Sequence, residues 1–300
     1  KVFTDPKGYG LKVVSTGEVT LSNVQANNNQ LFGADVTAAG EVNINNSFFD
    51  GNKSYKESCS YQIKQCNDYV CTKTYYGYGL QVVTNGNIFM EQVSAQNNHL
   101  FGAHLEGALI SVVDSIFSNN GSDNPKLLTG RGLEIESTGE VTLVGVQANY
   151  NELFGANIQT TGDVNIVGSF FNGHKVYTYS GNCTDEDKKN CTYEPCVKTV
   201  VGGGYGLEVI ADGFVALADV EAVDNYLFGA HIVGAEVVID EGDFNNNKEG
   251  LKIESTGDVE LSLVNANDNQ LFGATILSTS GFVTVSDSFF KGNKSYTYSN

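Results

Sequence analysis

The feature of this sequence that most restricts its fold is an internal repeat. The tetrapeptide Leu-Phe-Gly-Ala occurs five times, and its glycine lies at Gly33, Gly102, Gly155, Gly229 and Gly273. A Gly-Leu pair precedes each copy, and its glycine lies 23 residues upstream, at Gly10, Gly79, Gly132, Gly206 and Gly250. The chain therefore consists of ten related units in five pairs, and self-similarity at this period is typical of stacked repeats.

Within a unit, apolar residues recur at every second position. The first unit contains Gly10-Leu-Lys-Val-Val, then Gly17-Glu-Val-Thr-Leu, then Val24-Gln-Ala26, each bounded by Gly, Ser or Asn. This period predicts three short strands per unit and contains no helix signal. Because so small a unit cannot bury its apolar side alone, we expect an all-β parallel β-helix solenoid of about ten coils of 21–23 residues.

The repeat predicts one β-helix domain over residues 1–300, with insertions between coils. The unequal spacing of the pairs places long insertions at 53–78 and 175–205 and a shorter one at 121–131, while residues 1–9 and 294–300 fall in inter-coil loops. No capping element closes either terminal coil in the pattern, so unpaired strand edges invite association. We expect end-to-end stacking, either within a longer array or between copies that form a filament.

Two kinds of residue are expected to stack from coil to coil. Asparagines at the predicted corners form one ladder, and the members are Asn29, Asn52, Asn98, Asn120, Asn151, Asn225, Asn247, Asn269 and Asn293, with His174 at the tenth corner. Asn tolerates the left-handed backbone of a sharp corner, and its amide can bond to the coils above and below. Phenylalanines form two columns, read as core stacks: Phe32, Phe101, Phe154, Phe228 and Phe272, and Phe49, Phe117, Phe171, Phe244 and Phe290.

These Asn corners, Phe columns and the Gly-Leu-x-Val rhythm resemble right-handed parallel β-helix proteins, in particular secreted bacterial repeat proteins of the adhesin-like, cell-surface type. The resemblance implies an extracellular structural or adhesive protein. It leaves a second function open, because the same solenoid carries polysaccharide lyases and glycoside hydrolases.

Charge excludes one class of partner. The chain has 17 Lys+Arg against 35 Asp+Glu, a formal net charge of −18, so nucleic acid would be repelled. The sequence also lacks a run of eighteen apolar residues, so no membrane insertion is expected. The expected partners are further copies of the chain, surface carbohydrate or another cell-surface protein.

The outward positions of the first strands predict no catalytic cluster. They read Lys12, Asp35, Gln81, His104, Glu134, Asn157, Glu208, His231, Lys252 and Thr275. Since lyases and hydrolases of this fold use clustered carboxylates, we expect no enzyme and assign no catalytic residue. His104 and His231 lie five coils apart, so they cannot share a metal and are read as solvated polar positions.

Calcium is the only cofactor that the sequence suggests. Glu18 and Glu41 occupy equivalent turns of consecutive coils, as do Glu140 and Asp163. Carboxylates stacked about 5 Å apart repel each other and could share a cation, although two solvated turns explain the same pattern.

The cysteines and glycosylation motifs concentrate in the long insertions. The six cysteines, Cys59, Cys66, Cys71, Cys183, Cys191 and Cys196, fall three to each insertion. This grouping favours disulfides formed in an oxidising compartment, with one cysteine of each insertion left over after a local pair forms. Among the Asn-x-Ser/Thr motifs, Asn182 and Asn190 are the expected glycan sites, because ladder amides are buried.

Overall fold

The structure is a computed structural model that describes residues 8–61, 69–122, 129–175, 177–180, 197–200 and 204–294. It contains two parallel ten-stranded sheets, and each coil contributes one strand to each sheet. The prediction of an all-β parallel β-helix is confirmed. The part of the chain that the structure describes contains no helix long and apolar enough to cross a membrane.

The strands of the first sheet, in the order of coils 1 to 10, are β1 (Leu11–Ser15), β3 (Phe32–Ala38), β7 (Tyr78–Thr84), β9 (Phe101–Gly107), β11 (Arg131–Ser137), β13 (Phe154–Thr160), β17 (Tyr205–Ala211), β19 (Phe228–Gly234), β21 (Glu249–Ser255) and β23 (Phe272–Ser278). Those of the second sheet, in the same order, are β2 (Val19–Ser22), β4 (Val42–Phe48), β8 (Ile88–Ser94), β10 (Ile110–Val113), β12 (Val141–Val144), β14 (Val164–Phe170), β18 (Phe214–Glu221), β20 (Glu236–Asp243), β22 (Val259–Asn265) and β24 (Val283–Ser286). Each strand pairs in parallel with its equivalent in the next coil.

The third side of each coil carries less strand than the period-two pattern predicts. Isolated bridges such as Gln25 with Phe48 and Ile116 with Gln147 mark it in some coils. In others the pairing of the second sheet runs on around the bend, as between Ser169 and Val220. A residue with positive φ marks the bend before the third side in every coil, and these residues are Asn23, Asn46, Gln92, Asp114, Gly145, Gly168, Asp219, Glu241, Leu263 and Asp287.

The Asn ladder runs without a break through all ten coils. In each step the backbone N–H of a ladder residue donates to the side chain of the next, as from Asn29 to Asn52 Oδ1 (2.9 Å) and from Asn269 to Asn293 Oδ1 (2.8 Å). His174 takes its place in the ladder, since its Nδ1 accepts from Asn151 N–H at 3.1 Å and its own N–H donates to Asn225 Oδ1 at 3.0 Å.

The prediction that the ladder asparagines themselves adopt the left-handed backbone conformation was wrong. The left-handed residue of each corner is the one before the ladder position, and the set is Asn28, Gly51, Asn97, Asn119, Tyr150, Gly173, Asp224, Asn246, Asp268 and Gly292. Asn is selected at the ladder itself because its amide reaches the next coil from a buried site.

The core explains why the units come in pairs. One core column alternates small and large side chains from coil to coil: Ala26, Phe49, Ala95, Phe117, Ala148, Phe171, Ala222, Phe244, Ala266 and Phe290. Phe49, Phe117, Phe171 and Phe244 are fully buried. Since each of these four buried phenylalanines lies between two alanines, two coils are needed to complete one packing unit, so the sequence repeats in pairs.

A glycine column lies beside the ladder where neighbouring coils approach closely. A Cβ added to Gly33 would lie 2.6 Å from the Gly79 carbonyl oxygen and 2.8 Å from Asn52 Nδ2. These contacts are too short for any side chain, which accounts for the glycine that each unit repeats.

Two of the predicted insertions begin with hairpins that leave the solenoid at the same corner. In the first, β5 (Ser54–Tyr61) pairs antiparallel with β6 (Tyr69–Tyr76) just after the ladder residue Asn52. In the second, β15 (Tyr177–Ser180) pairs antiparallel with β16 (Val197–Val200) just after His174. Both hairpins therefore leave from one edge of the rod, next to the start of the first-sheet strands.

Candidate functional site on the outer face of the first sheet

The outer face of the first sheet carries a row of polar side chains, one from each coil. The register aligns the predicted outward positions directly, and we call them the polar row: Lys12, Asp35, Gln81, His104, Glu134, Asn157, Glu208, His231, Lys252 and Thr275. Parallel in-register strands place these residues about 5 Å apart along the rod.

A first cluster of charges joins coils 4 and 5. Glu134 bonds to His104 Nδ1 at 3.2 Å and accepts two hydrogen bonds from one Arg131 nitrogen at 2.9 and 3.0 Å. The hydrogen bond with Glu134 raises the pKa of His104, and the hydrogen bond from His104 lowers the pKa of Glu134. The two groups thus favour an ion pair across the coil boundary.

A second cluster spans coils 7 to 9. His231 Nδ1 lies 3.1 Å from Glu208 Oε1, and Lys252 Nζ lies 2.6 Å from Glu254 Oε1. The hydrogen bond from His231 lowers the pKa of Glu208, and that from Lys252 lowers the pKa of Glu254. Asn157 Nδ2 extends this network into coil 6 by donating to Glu208 Oε2 at 2.9 Å.

An aromatic column borders the polar row, and it corrects one prediction. The five phenylalanines read as a core stack, Phe32 to Phe272, lie outside the core cluster, although Phe32 and Phe154 are buried. The column stacks with tyrosines of the Gly-Leu units, and the ring centroids of Tyr9, Phe32, Tyr78 and Phe101 follow one another at 5.3, 5.2 and 4.7 Å. The rings reach the polar row, since Phe101 and Phe228 contact His104 and His231 edge-on, with centroids 6.3 and 5.5 Å apart.

The aromatic column is interrupted in coil 5, where Arg131 occupies the position of an aromatic residue, and it continues in coil 6. The guanidinium Cζ of Arg131 lies 6.0 Å from the centroid of the Phe154 ring. Phe154, Tyr205 and Phe228 then stack at 5.2 and 5.0 Å. Burial raises the pKa of the Tyr78 and Tyr205 hydroxyls. Because the ring faces cover one another, interior rings offer edges rather than faces to a ligand.

The pKa directions define what the carboxylates can do. A glycoside hydrolase needs one carboxyl group whose pKa is raised so that it can protonate the leaving oxygen. Glu134, Glu208 and Glu254 instead have lowered pKa values, and each is held by a cation or an imidazole. The arrangement suits ion pairs that link adjacent coils better than proton transfer.

The predicted calcium positions lie in turns on other parts of the rod. Glu41 accepts a hydrogen bond from Asn43 at 2.9 Å, Glu140 accepts one from Thr142 at 3.2 Å, and Asp163 accepts one from the Phe214 N–H at 2.8 Å. Glu18 is exposed in the first of these turns. Among the described residues, no group of three or more His, Cys, Asp or Glu side chains is arranged to hold a metal ion.

Most of the predicted modification sites lie outside the described residues. These are Cys66, Cys183, Cys191 and Cys196 and both expected glycan sites, Asn182 and Asn190. Cys59 lies in β5 and Cys71 in β6. The motif residues Asn52 and Asn120 are buried in the ladder.

Several residues of this face were missed from the sequence. Glu106 and Glu136 pair in register two residues beyond His104 and Glu134, and Glu254 lies two residues beyond Lys252. The signal was present, because strand alternation places residues two apart on the same face. The tyrosines of the aromatic column could also have been found, since Tyr9, Tyr78 and Tyr205 each precede a Gly-Leu pair.

Comparison with known proteins agrees with this architecture. The family model described as "Right handed beta helix region" matches residues 2–171, more than half of the chain. Neither the curated proteins nor the solved structures contain a match. The two parallel ten-stranded sheets, the Asn ladder and the family match together show that the chain belongs to the right-handed β-helix family.

Proposed function

We propose that this protein is an extracellular structural or adhesive β-solenoid in which a further coil covers coil 10. That coil is either coil 1 of another copy, in a filament of rods associated end to end, or the next coil of a longer surface fibre. The observation that carries the proposal is the exposure of apolar side chains in coil 10, the last coil that the structure describes. Val283 and Val285 are 48% and 46% exposed, whereas their register partners in coil 9, Val259 and Leu261, are 1% and 0% exposed.

The exposed side of coil 10 has the composition of core. Val283 and Val285 are exposed within it, and Phe290 occupies the same column as the buried phenylalanines. Burying apolar surface is worth about 25 cal/mol per Å², so covering this side favours association. Coil 1 offers the matching surface, since Leu11 and Val13 are only partly buried against the core.

The ladder supplies complementary polar groups at the two ends. Every ladder N–H from Asn29 to Asn269 donates to the side-chain acceptor of the following coil. Among the described residues, Asn293 N–H and Asn29 Oδ1 have no partner of this kind, so the first can donate to the second in a neighbouring copy. Such a head-to-tail contact is heterologous and does not close on itself, so it generates a filament.

The net charge of −18 restricts association to the ends. Rods side by side would repel each other through this charge, whereas the apolar end surface gains by being covered. The extracellular setting is supported by the six cysteines, which group in the insertions. Because both hairpins leave one edge of the rod, a filament would display them on one side, as contacts for surface carbohydrate or a cell-surface protein.

Sedimentation velocity of three purified proteins tests the proposal. The wild-type chain is expected to form species that grow with concentration, and Val285→Glu is expected to remain a single short rod because association would bury its charge. Ile210→Glu is the matched control, since Ile210 is 42% exposed on the side of the rod. Association that survives Val285→Glu, or that Ile210→Glu abolishes equally, contradicts end-to-end stacking.

A polysaccharide lyase or glycoside hydrolase is the alternative function, and the observation on its side is that the half-buried pairs His104–Glu134 and His231–Glu208 place an imidazole beside a carboxylate on the outer face. Release of new reducing ends from acidic and neutral polysaccharides would show such activity. If the alternative holds, Glu134→Gln or Glu208→Gln removes that activity while the rod remains folded. If the structural function holds, neither the wild type nor the variants cleave any of these polymers.

A further inference from the structure

The first hairpin places two cysteines directly opposite each other. Strands β5 and β6 pair antiparallel from Ser54 opposite Tyr76 to Tyr61 opposite Tyr69, and within this register Cys59 is the partner of Cys71. The backbone register thus distinguishes these two cysteines from Cys66, the third cysteine of the insertion.

The spacing of an antiparallel pair fits a disulfide. Directly opposed residues have Cα atoms about 5.5 Å apart in a hydrogen-bonded pair and about 4.5 Å apart in a non-hydrogen-bonded pair. A disulfide joins Cα atoms about 4.4–6.8 Å apart. Either kind of pair therefore allows a bond without displacement of the strands.

The base of the hairpin is fixed to the solenoid, which fixes the register. His99 is buried, and its Nδ1 lies 3.1 Å from the Ser54 carbonyl oxygen and 3.2 Å from that of Tyr76, the first pair of the hairpin. The Tyr75 ring packs edge-on against His99 at 5.1 Å. A slip of one residue would break these contacts, so Cys59 and Cys71 stay opposed.

We propose that Cys59 and Cys71 form a cross-strand disulfide that staples this hairpin, and that Cys66 is not part of the pair. Formation needs a disulfide oxidant such as oxidised glutathione. The oxidant takes up two electrons and two protons and leaves as two thiols, while the two cysteine sulfurs become joined. The bond does not require association of the rods, so it stands or fails separately from the proposed filament.

Peptide mapping of the full chain under non-reducing conditions tests the pairing. After equilibration with oxidised and reduced glutathione and blocking of free thiols, cleavage at Lys64 and Asp68 gives peptides with one cysteine each from this insertion. The expected dominant linked species joins the Cys59 and Cys71 peptides and is lost on reduction. Dominance of a pair that contains Cys66, equal amounts of the three pairings, or no linkage overturns the proposal.

Three variants test whether the strand register, rather than nearness along the chain, determines which cysteines are joined. Cys66→Ser is expected to retain the Cys59–Cys71 species, and Cys71→Ser is expected to lose it. The matched control, Cys71→Ser combined with Thr72→Cys, moves the thiol by one residue, opposite Ser58. It is expected not to restore the link to Cys59, since adjacent strand residues face opposite sides. Restoration by this control would contradict a pairing set by register.

Discussion

Coils 9 and 10 carry the same pattern but differ in what covers them. In coil 9, Val259 and Leu261 are buried by the strand that follows, and in coil 10 the equivalent Val283 and Val285 are exposed. The difference shows that the sequence of a unit determines which residues stack in register with those of the neighbouring coils, but not by itself whether they are buried. Burial is supplied by the next coil, so the stability of each coil depends on its neighbours.

The largest effect is expected from the alternating core column. Phe171→Ala places three alanines in succession in coils 5 to 7 and should lower the free energy of unfolding by about 3–5 kcal/mol. Phe290→Ala makes the same change in coil 10, where the ring is 37% exposed rather than 0%. Its cost should be only about 1–2 kcal/mol, because less apolar surface is lost. Urea denaturation of both variants measures the difference, and equal costs would contradict the dependence on a covering coil.

The repeat made much of this architecture predictable. Five copies of Leu-Phe-Gly-Ala and their upstream Gly-Leu partners determine ten coils, and each Asn corner lies where the ladder runs. The left-handed residue was misplaced by one position because Asn, Asp, Gly and even Tyr150 occupy it, so it shows no single residue type. A column of mixed residues is hard to recognise from sequence, whereas one with a constant residue is easy.

The outer face was less predictable for a related reason. Phe32 precedes Gly33-Ala34, and an aromatic residue beside small apolar residues is typical of core. The rings of this column nevertheless border the polar row, which only the contacts of Phe101 with His104 and of Phe228 with His231 reveal. Likewise, His104 and Glu134 lie 30 residues apart because an insertion intervenes, so their contact follows from the stacking and not from local spacing.

His174 gives the next largest effect, and it depends on pH. Its side chain is fully buried in the ladder, and this burial lowers its pKa from 6.5 to about 4. Between about pH 4 and 6.5, His174 is therefore protonated in the unfolded state but neutral in the folded state. The contribution of the neutral His174 to the free energy of unfolding is fully present above pH 6.5. It is lost as the pH falls towards about 4, and the loss amounts to about 3 kcal/mol in total.

Replacing His174 with Asn restores the residue used at the other nine corners and removes this titration. Denaturation of the wild type and His174→Asn from pH 7 to pH 4 checks it. The stability curves of the two proteins should diverge as pH falls, with the variant more stable at the acid end. Parallel curves would mean that the wild-type imidazole accepts its proton without cost in the ladder.

A smaller effect is expected from removing one step of the ladder. Asn120 Oδ1 accepts the Asn98 N–H at 3.0 Å, and its Nδ2 donates to the Phe117 carbonyl at 3.0 Å. Asn120→Ala leaves that buried N–H without a partner, at a cost of about 1–3 kcal/mol. Asn293→Ala removes only the last step, where water can reach Asn269 N–H, and should cost less. Thermal or urea unfolding of the pair would contradict this if Asn293→Ala proved the more damaging.

The smallest effect is expected on the outer face. Glu134→Gln removes the ion pairs with His104 and Arg131, and should change stability by less than about 1 kcal/mol because the pair is partly exposed to solvent. The pair stabilises the fold most between the ordinary pKa values of Glu and His, 4.5 and 6.5. This contribution fades as acid protonates Glu134, and it fades again as base deprotonates His104.

NMR titration of the His104 ring checks the electrostatic part of this prediction. Its pKa should be above 6.5 in the wild type and should return towards that value in Glu134→Gln. An unchanged pKa in the variant would show that Glu134 does not hold the imidazolium.

The most direct test of end-to-end association is electron cryomicroscopy of the wild-type protein at concentrations where it assembles. Ten coils at about 4.8 Å each predict filaments with an axial repeat of about 48 Å, in which β24 of one copy pairs with β2 of the next and the Asn ladder continues across the junction. Discrete rods, or filaments built from side-by-side contacts with coil 10 still exposed, would contradict the account.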